Sequence, residues 1–322
     1  MSRSGAGPAV VALGGGHGLY ASLSALRRVT DRLSAVVTVA DDGGSSGRLR
    51  RELGVLPPGD LRMALAALCG DDEWGQTWRD VVQHRFRSQG DLHDHAVGNL
   101  LIVALWELLG EGTAASTVAG LDWVGRLLGA GGRVLPMASV PLDIVAEVRG
   151  ADPARPDDVT RVKGQVACAK TPGTVLSVSL VPSDPPACPE ALEAVDAADW
   201  VVFGPGSWFT SVLPHLQVPE LARALTATRA RRLVALNLAP QPGETDDFSP
   251  QTHLEVLQAH APDLRVDVVL ADRGVVDDPV ALDKAVQDLG GRLELADVAA
   301  DDGSPRHDPA RLAQAFVKIF RE

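Results

Sequence analysis

Apolar positions along the chain fall into two periods. Unbroken runs, Val10-Val11-Ala12-Leu13, Ala35-Val36-Val37-Thr38-Val39 and Trp200-Val201-Val202-Phe203, leave no polar face and predict strands buried on both sides. Between them, Leu19, Leu23, Leu26 and Val29 recur at helical spacing, predicting a helix over 19–29. Further helices are predicted over 61–68, 74–86, 96–109, 113–128, 189–197, from a cap at Ser249 to about 258, and over 309–320. Strands are predicted over 232–238 and 264–270, with a weak one near Leu293. Strands alternating with helices in this way predict an α/β fold on parallel sheet.

Over 131–182 the texture changes. Short β-like runs, Arg133-Val134-Leu135, Ile144-Val145-Ala146-Glu147-Val148 and 175–181, alternate with Gly, Pro and Asp, and 150–158 is too polar and Pro-rich to be core. The expected architecture is one Rossmann-like α/β domain over 1–322. Its mostly parallel sheet is flanked by helices, with a small β-rich excursion over 131–182.

Polar residues collect at the ends of the predicted strands, where open α/β sheets hold their ligands. The first strand runs into Gly14-Gly15-Gly16-His17-Gly18 ahead of a helix, an order that aims backbone N–H groups at a phosphate. The run is not the G-x-G-x-x-G of dinucleotide sites, so no nicotinamide cofactor is expected; the competing reading is a tight turn for close strand–helix packing. The second strand leads into Ala40-Asp41-Asp42-Gly43-Gly44-Ser45-Ser46-Gly47-Arg48. Its paired acids could take a ribose diol or magnesium, or turn inward on neighbouring amides as Asx turns.

Asp60 is placed to cap the helix over 61–68, or to serve a site; Arg62 opposes that helix's dipole, a conflict resolved by a phosphate or carboxylate partner. His95 and Asn99 lie one turn apart and can share a face, while His93 and His95 with Asp91 and Asp94, all in one loop segment, make a weak metal set. After the strand at Trp200 comes Gly204-Pro205-Gly206-Ser207-Trp208-Phe209-Thr210, suited to phosphate or sugar through Gly206, Ser207 and Thr210. It lacks the second glycine of a hydrolase elbow. Asn237, Gln241, Glu244 and Thr245 follow the next strand.

Composition narrows the function classes. The chain has 322 residues, a net charge of −12 and no basic cluster, which argues against nucleic acid as a partner. Its three cysteines are too few and too dispersed for a disulfide framework or zinc site. No apolar run reaches membrane-spanning length and 1–8 lack a signal core, so a cytoplasmic protein without membrane insertion is expected.

Taken together, GGGHG, ADDGGSSGRLR, PPGDLR, HAVGNLL, GPGSWFTS and NLAPQPGETD resemble the gluconeogenesis factor (YvcK-like) family from about Val10 to His260. That family is related in fold to 2-phospho-L-lactate transferase. The resemblance implies a Rossmann-like core, a nucleotide-sugar ligand such as UDP-N-acetylglucosamine or a related phosphorylated small molecule, and a role in cell shape and wall metabolism. A homodimer is compatible with it.

The resemblance implies ligand-binding roles for Gly14, Gly15, Gly16, Gly18, Asp41, Asp42, Ser45, Ser46, Asp60, Arg62, His95, Asn99, Gly204, Gly206, Ser207, Thr210, Asn237, Gln241, Glu244 and Thr245. His17 stands where the family has threonine, Met63 where it has asparagine, and Ala96 where it has serine. A second reading is a magnesium-dependent phosphotransferase, with the metal on Asp41 and Asp42 and His95 as acid or base.

Overall fold

The computed structural model describes residues 7–110, 114–241, 243–246 and 248–322. In chain order the elements are β1 (Val10–Gly14), α1 (Gly16–Leu26), β2 (Leu33–Val37), α2 (Gly44–Leu53), α3 (Gly59–Ala67), α4 (Glu73–Gln83), α5 (Val97–Leu109) and α6 (Ala114–Leu128). There follow β3 (Arg133–Pro136), β4 (Asp143–Arg149), β5 (Val159–Lys163), α7 (Gln165–Lys170), β6 (Thr174–Val181), α8 (Pro189–Asp196) and β7 (Trp200–Phe203). The remainder is α9 (Pro219–Ala227), β8 (Arg231–Ala235), α10 (Pro250–His260), β9 (Val268–Asp272), α11 (Pro279–Asp288), β10 (Arg292–Ala296) and α12 (Pro309–Arg321).

Seven strands form one sheet in the order β10-β9-β8-β7-β1-β2-β3, every pairing parallel. Helices flank it. β1 lies at its centre with each of its five residues buried, as a strand covered on both faces must be. The chain leaves β1 toward β2 on one side and later enters β7 on the other, so the order of connection reverses between β1 and β7. A crevice opens at the carboxyl end of such a switch point.

The excursion expected over 131–182 divides. Its first run, 133–136, is β3, pairing parallel with β2 at the edge of the main sheet. Only β4, β5 and β6 make the antiparallel sheet, in the order β5-β4-β6. The excursion therefore begins later than its texture suggests, because β3 follows a helical block with the same short, turn-bounded pattern as the strands after it. α7 connects β5 to β6 and carries no period long enough to read.

α1 begins earlier than its apolar spacing suggests, and α2 forms where the sequence reads as a loop. α1 starts at Gly16 and not at residue 19, so the glycine loop is its first turn. The polar loop after β2 folds from Gly44 onward into α2, placing Ser45 and Ser46 in a helical first turn. Polar residues facing inward on a helix produce no apolar stripe. The helix predicted from residue 113 runs from Ala114, with Thr113 itself outside the described residues. No helix among the described residues is long and apolar enough to cross a membrane.

Candidate functional site

The four polar segments all emerge at the carboxyl edge of the parallel sheet, after β1, β2, β7 and β8. The two that flank the switch point are pressed together. A Cβ on Gly18 would overlap the Pro205 carbonyl oxygen and Gly206 Cα, and Ser22 Oγ on α1 donates to the Gly204 carbonyl at 2.7 Å. Gly14, Gly204 and Gly206 have φ of +155°, +72° and +141°, conformations that leave glycine as the residue without strain. Close packing therefore accounts for part of the glycine run.

Gly15 faces a third neighbour. Its absent Cβ would lie 2.6 Å from Asp60 Oδ2 and 2.7 Å from Thr38 Oγ1. Asp60 does not cap its own helix: Pro58 holds that position without a side-chain bond. The buried Asp60 carboxylate instead accepts the Thr38 hydroxyl at 3.0 Å and the Gly16 N–H at the start of α1. Burial first, then the neighbouring Asp41 charge, push its pKa up to about 6.

The adjacent aspartates diverge. Asp41 Oδ1 accepts the Gly43 N–H at 2.9 Å, an Asx turn, and its carboxyl also accepts from Ser46, whose Oγ takes the Gly59 N–H at 3.0 Å. Burial raises the Asp41 pKa. Asp42 Oδ1 accepts the Val166 N–H at 3.0 Å, reaching across to α7. No group of three or more His, Cys, Asp or Glu side chains among the described residues converges as a metal site.

Ser45 is the hub of a buried polar chain. Its Oγ accepts from Ala96 N–H at 3.2 Å and Asn99 Nδ2 at 3.0 Å, which fills both lone pairs. Its own proton then goes to His95 Nδ1, 3.0 Å away, placing the ring proton of a neutral His95 on Nε2. Burial, with Arg48 nearby, holds His95 below its ordinary pKa. Asn99 Oδ1 accepts from Arg62 Nε at 3.0 Å, and Arg62 also donates to Gln83. Burial lowers the Arg62 pKa to about 10, still leaving the guanidinium charged at neutral pH. His95 and Asn99 do share a face, while His93 is exposed.

On the other side of the switch point, Asn237 bonds both ways with Gly206, accepting its N–H at 2.8 Å and donating to its carbonyl at 2.9 Å. Ser207 Oγ accepts the Thr210 N–H at 3.1 Å, capping the short helix Trp208–Val212. The Ser207 and Thr210 hydroxyls both turn to Glu244, at 2.8 and 3.4 Å from its Oε1. Burial raises the Glu244 pKa. Thr245 Oγ1 takes the Gln241 N–H at 2.8 Å, and buried Gln241 Oε1 has no hydrogen-bond partner among the described residues. Pro242 in the same loop lies outside the described residues.

Two cavities meet over these loops. One, of about 620 Å³, is lined by His17, Gly18, Tyr20, Gly206, Asn237 and Gln241 together with Ala300, Arg306, His307 and Asp308. The other, of about 470 Å³, is lined by Gly15, Gly16, Gly206, Ser207, Thr210, Gln241 and Glu244 and covered by Gln165, Val166, Ala169 and Lys170 of α7. His17, Gly18, Gly206 and Gln241 line both.

The expected residues therefore separate. Those after β1, β7 and β8 line the cavities, with Gly14, Gly204 and Thr245 behind them. Asp41, Asp42, Ser45, Ser46, Asp60, Arg62, His95 and Asn99 line neither and form a polar network beside them.

Tyr20, α7 and the 300–309 strap do not stand out in the sequence. Tyr20 follows Gly16 by one helical turn, a spacing that could signal it. The strap is held by Asp272, whose Oδ2 accepts N–H groups of Val298 at 2.7 Å and Ala299 at 2.9 Å. Burial lowers the His307 pKa to about 4. Only the strap's end is legible, where Asp308 caps α12 ahead of Pro309.

Comparison with known proteins places this geometry. The family model of 2-phospho-L-lactate transferase CofD matches residues 10–302. A gluconeogenesis-factor relative from Mycobacterium leprae is 52% identical over 98% of this chain and 87% of its own length. The gluconeogenesis factor of Listeria monocytogenes is 34% identical over 97% of this chain and 96% of its own. A crystal structure of a UPF0052 family member from Bacillus halodurans superposes with a TM-score of 0.84 at 31% identity, covering 98% of this chain and all of the other. The switch-point crevice and its glycine loops thus sit on a shared scaffold, and this chain belongs to the gluconeogenesis factors of the CofD family.

Proposed function

We propose that the chain binds a nucleotide-linked sugar, such as UDP-N-acetylglucosamine, across the switch point and acts in the cytoplasm as a regulator of cell shape and wall metabolism. The observation that carries this reading is the pair of cavities meeting over α1's first turn. A ligand with a phosphate centre and a different group at each end fits two chambers that share His17, Gly18, Gly206 and Gln241. The larger chamber, with Tyr20, Asn237 and the His307 ring, suits a base and ribose. The smaller, with Ser207, Thr210, Glu244 and Gln165, suits a hydroxyl-rich sugar. A ligand donor reaching Gln241 Oε1 would satisfy an acceptor without a partner among the described residues, removing a penalty of about 1–3 kcal/mol.

Magnesium fits the acid cluster through few protein ligands, since it takes one or two carboxylates and completes its shell with phosphate oxygens and waters. Asp41 is the acid that suits it: burial raises its pKa and yet it is only half-buried, whereas Asp60 lies beneath the glycine loop with its carboxylate committed to Thr38 and Gly16. Asp42, like Asp41, commits one oxygen to a backbone N–H, that of Val166 on α7. The cation would offset phosphate charge next to a carboxylate-rich edge.

Calorimetry with UDP-N-acetylglucosamine, with and without magnesium, tests the reading; micromolar binding is the expected result and no binding by the folded protein would remove it. The family match to a transferase motivates one further assay. Incubation with a lactyl-guanosine donor and deazaflavin should leave both unchanged; release of GMP would instead establish phosphotransfer.

A further inference from the structure

α7 reaches the cavity only through the antiparallel sheet, and two polar loops hold it there. Asp42 Oδ1 accepts its Val166 N–H at 3.0 Å, and the other Asp42 oxygen lies where a side chain on Gly164 would begin. Gly43 leaves room for the Val166 side chain, 2.8 Å from where its own Cβ would be, and Gly243 does the same for the Ala169 carbonyl at 2.9 Å. α7 is thus seated on both loops by contacts that admit no side chain.

The last residue of α7 is the exposed Lys170, which lines the smaller cavity together with Gly16, His17 and Gly18 of α1's first turn. No other Lys or Arg is among that cavity's lining residues. Its ammonium group makes no hydrogen bond or ion pair with a described residue, and Glu244 in the same cavity turns to Ser207 and Thr210 instead. In a chain of net charge −12, with Asp41, Asp42 and Asp60 beside the site, a phosphate needs a local cation to offset that field.

We propose that Lys170 contacts the phosphate charge of the ligand, and that Asp42 is a positioning residue that holds α7, and so Lys170, over the N-terminal turn of α1. This rests on the nucleotide reading and deepens it. Asp42 then acts on affinity without touching the ligand.

Titration of the full chain with UDP-N-acetylglucosamine and with uridine, which lacks phosphate, separates the possibilities. Lys170→Ala should weaken the nucleotide sugar about tenfold, flatten its salt dependence and leave uridine binding unchanged. Lys170→Arg should restore most of the loss. Asp42→Ala should produce a similar loss, and the Asp42→Ala/Lys170→Ala pair no more than either alone. Gly164→Ala, which displaces α7 without altering charge, supplies the same comparison where Asp42→Ala fails to fold. Wild-type binding with an unaffected Lys170→Ala, or equal loss of uridine, would overturn the Lys170 role. Additive losses in the pair would overturn the positioning role of Asp42. Failure of the wild type to bind would remove the nucleotide reading and this inference with it.

Discussion

Every residue of β1, β7 and β9 is buried, whereas β5 has four exposed residues out of five and β6 alternates buried with exposed. The parallel sheet and the antiparallel sheet thus make different demands on their side chains, and the site takes a different part from each. The parallel sheet supplies a floor of backbone, fixed by glycines pressed against neighbouring loops. The antiparallel sheet supplies a cover, α7, that brings side chains over it. Backbone geometry in the floor is dictated by the core behind it; the cover is set by a few polar contacts such as that of Asp42. Floor substitutions should therefore cost folding stability, and cover substitutions should change binding more than folding.

The largest effect is expected at Gly18. Its Cβ would meet the backbone of Pro205 and Gly206, which has no flexible end to give way, so Gly18→Ala should lower unfolding free energy by about 4 kcal/mol in denaturant titration. A loss below about 1 kcal/mol would show that the floor is as adaptable as the cover.

Asp60, beneath the floor, should make stability depend on pH. Its folded pKa of about 6 exceeds the ordinary value of 3.8, so the folded state binds the proton more tightly. Stability from this group is fully present below about pH 4, falls as pH rises through 4–6, and is lost above, a swing of about 3 kcal/mol. Asp60→Asn should recover much of that at pH 8 and nothing at pH 4, as read from melting curves at both values. The same gain at both pH values would assign it to packing and not to charge.

Ser45→Ala should cost about 2 kcal/mol, since it leaves the buried Ala96 N–H and Asn99 amide without their acceptor. The His95 proton resonances should shift with it, because the ring loses the donor that fixes its tautomer. The smallest change belongs to the antiparallel sheet. Val159 opens β5 and is 53% exposed, so Val159→Thr should alter stability by less than about 0.5 kcal/mol. A larger loss would mean that β5 is covered by something beyond this chain.

The difference between the sheets also explains what can be read from residues alone. β7 coincides with its predicted run, Trp200–Phe203, because a strand buried on both faces needs unbroken apolar sequence. β5 carries no such signal: Val159-Thr160-Arg161-Val162-Lys163 is mostly exposed and owes its conformation to pairing with β4. α2 has the sequence of a loop because its first turn is glycine and serine turned inward to Asp41, Gly59, His95 and Asn99.

Local sequence determined the central parallel strands β1, β2 and β7, the glycine turns after them and the polar character of each strand end, because burial and backbone strain act residue by residue; β3 joins that sheet only through its pairing with β2. The partners of those polar groups were settled only by tertiary structure. Asp41 and Asp42 are neighbours in the chain, yet one turns back on Gly43 and the other crosses 124 residues of sequence to Val166. A hydrogen bond depends on where an amide lies in space, and nothing in the spacing of residues encodes a meeting between two separate sheets.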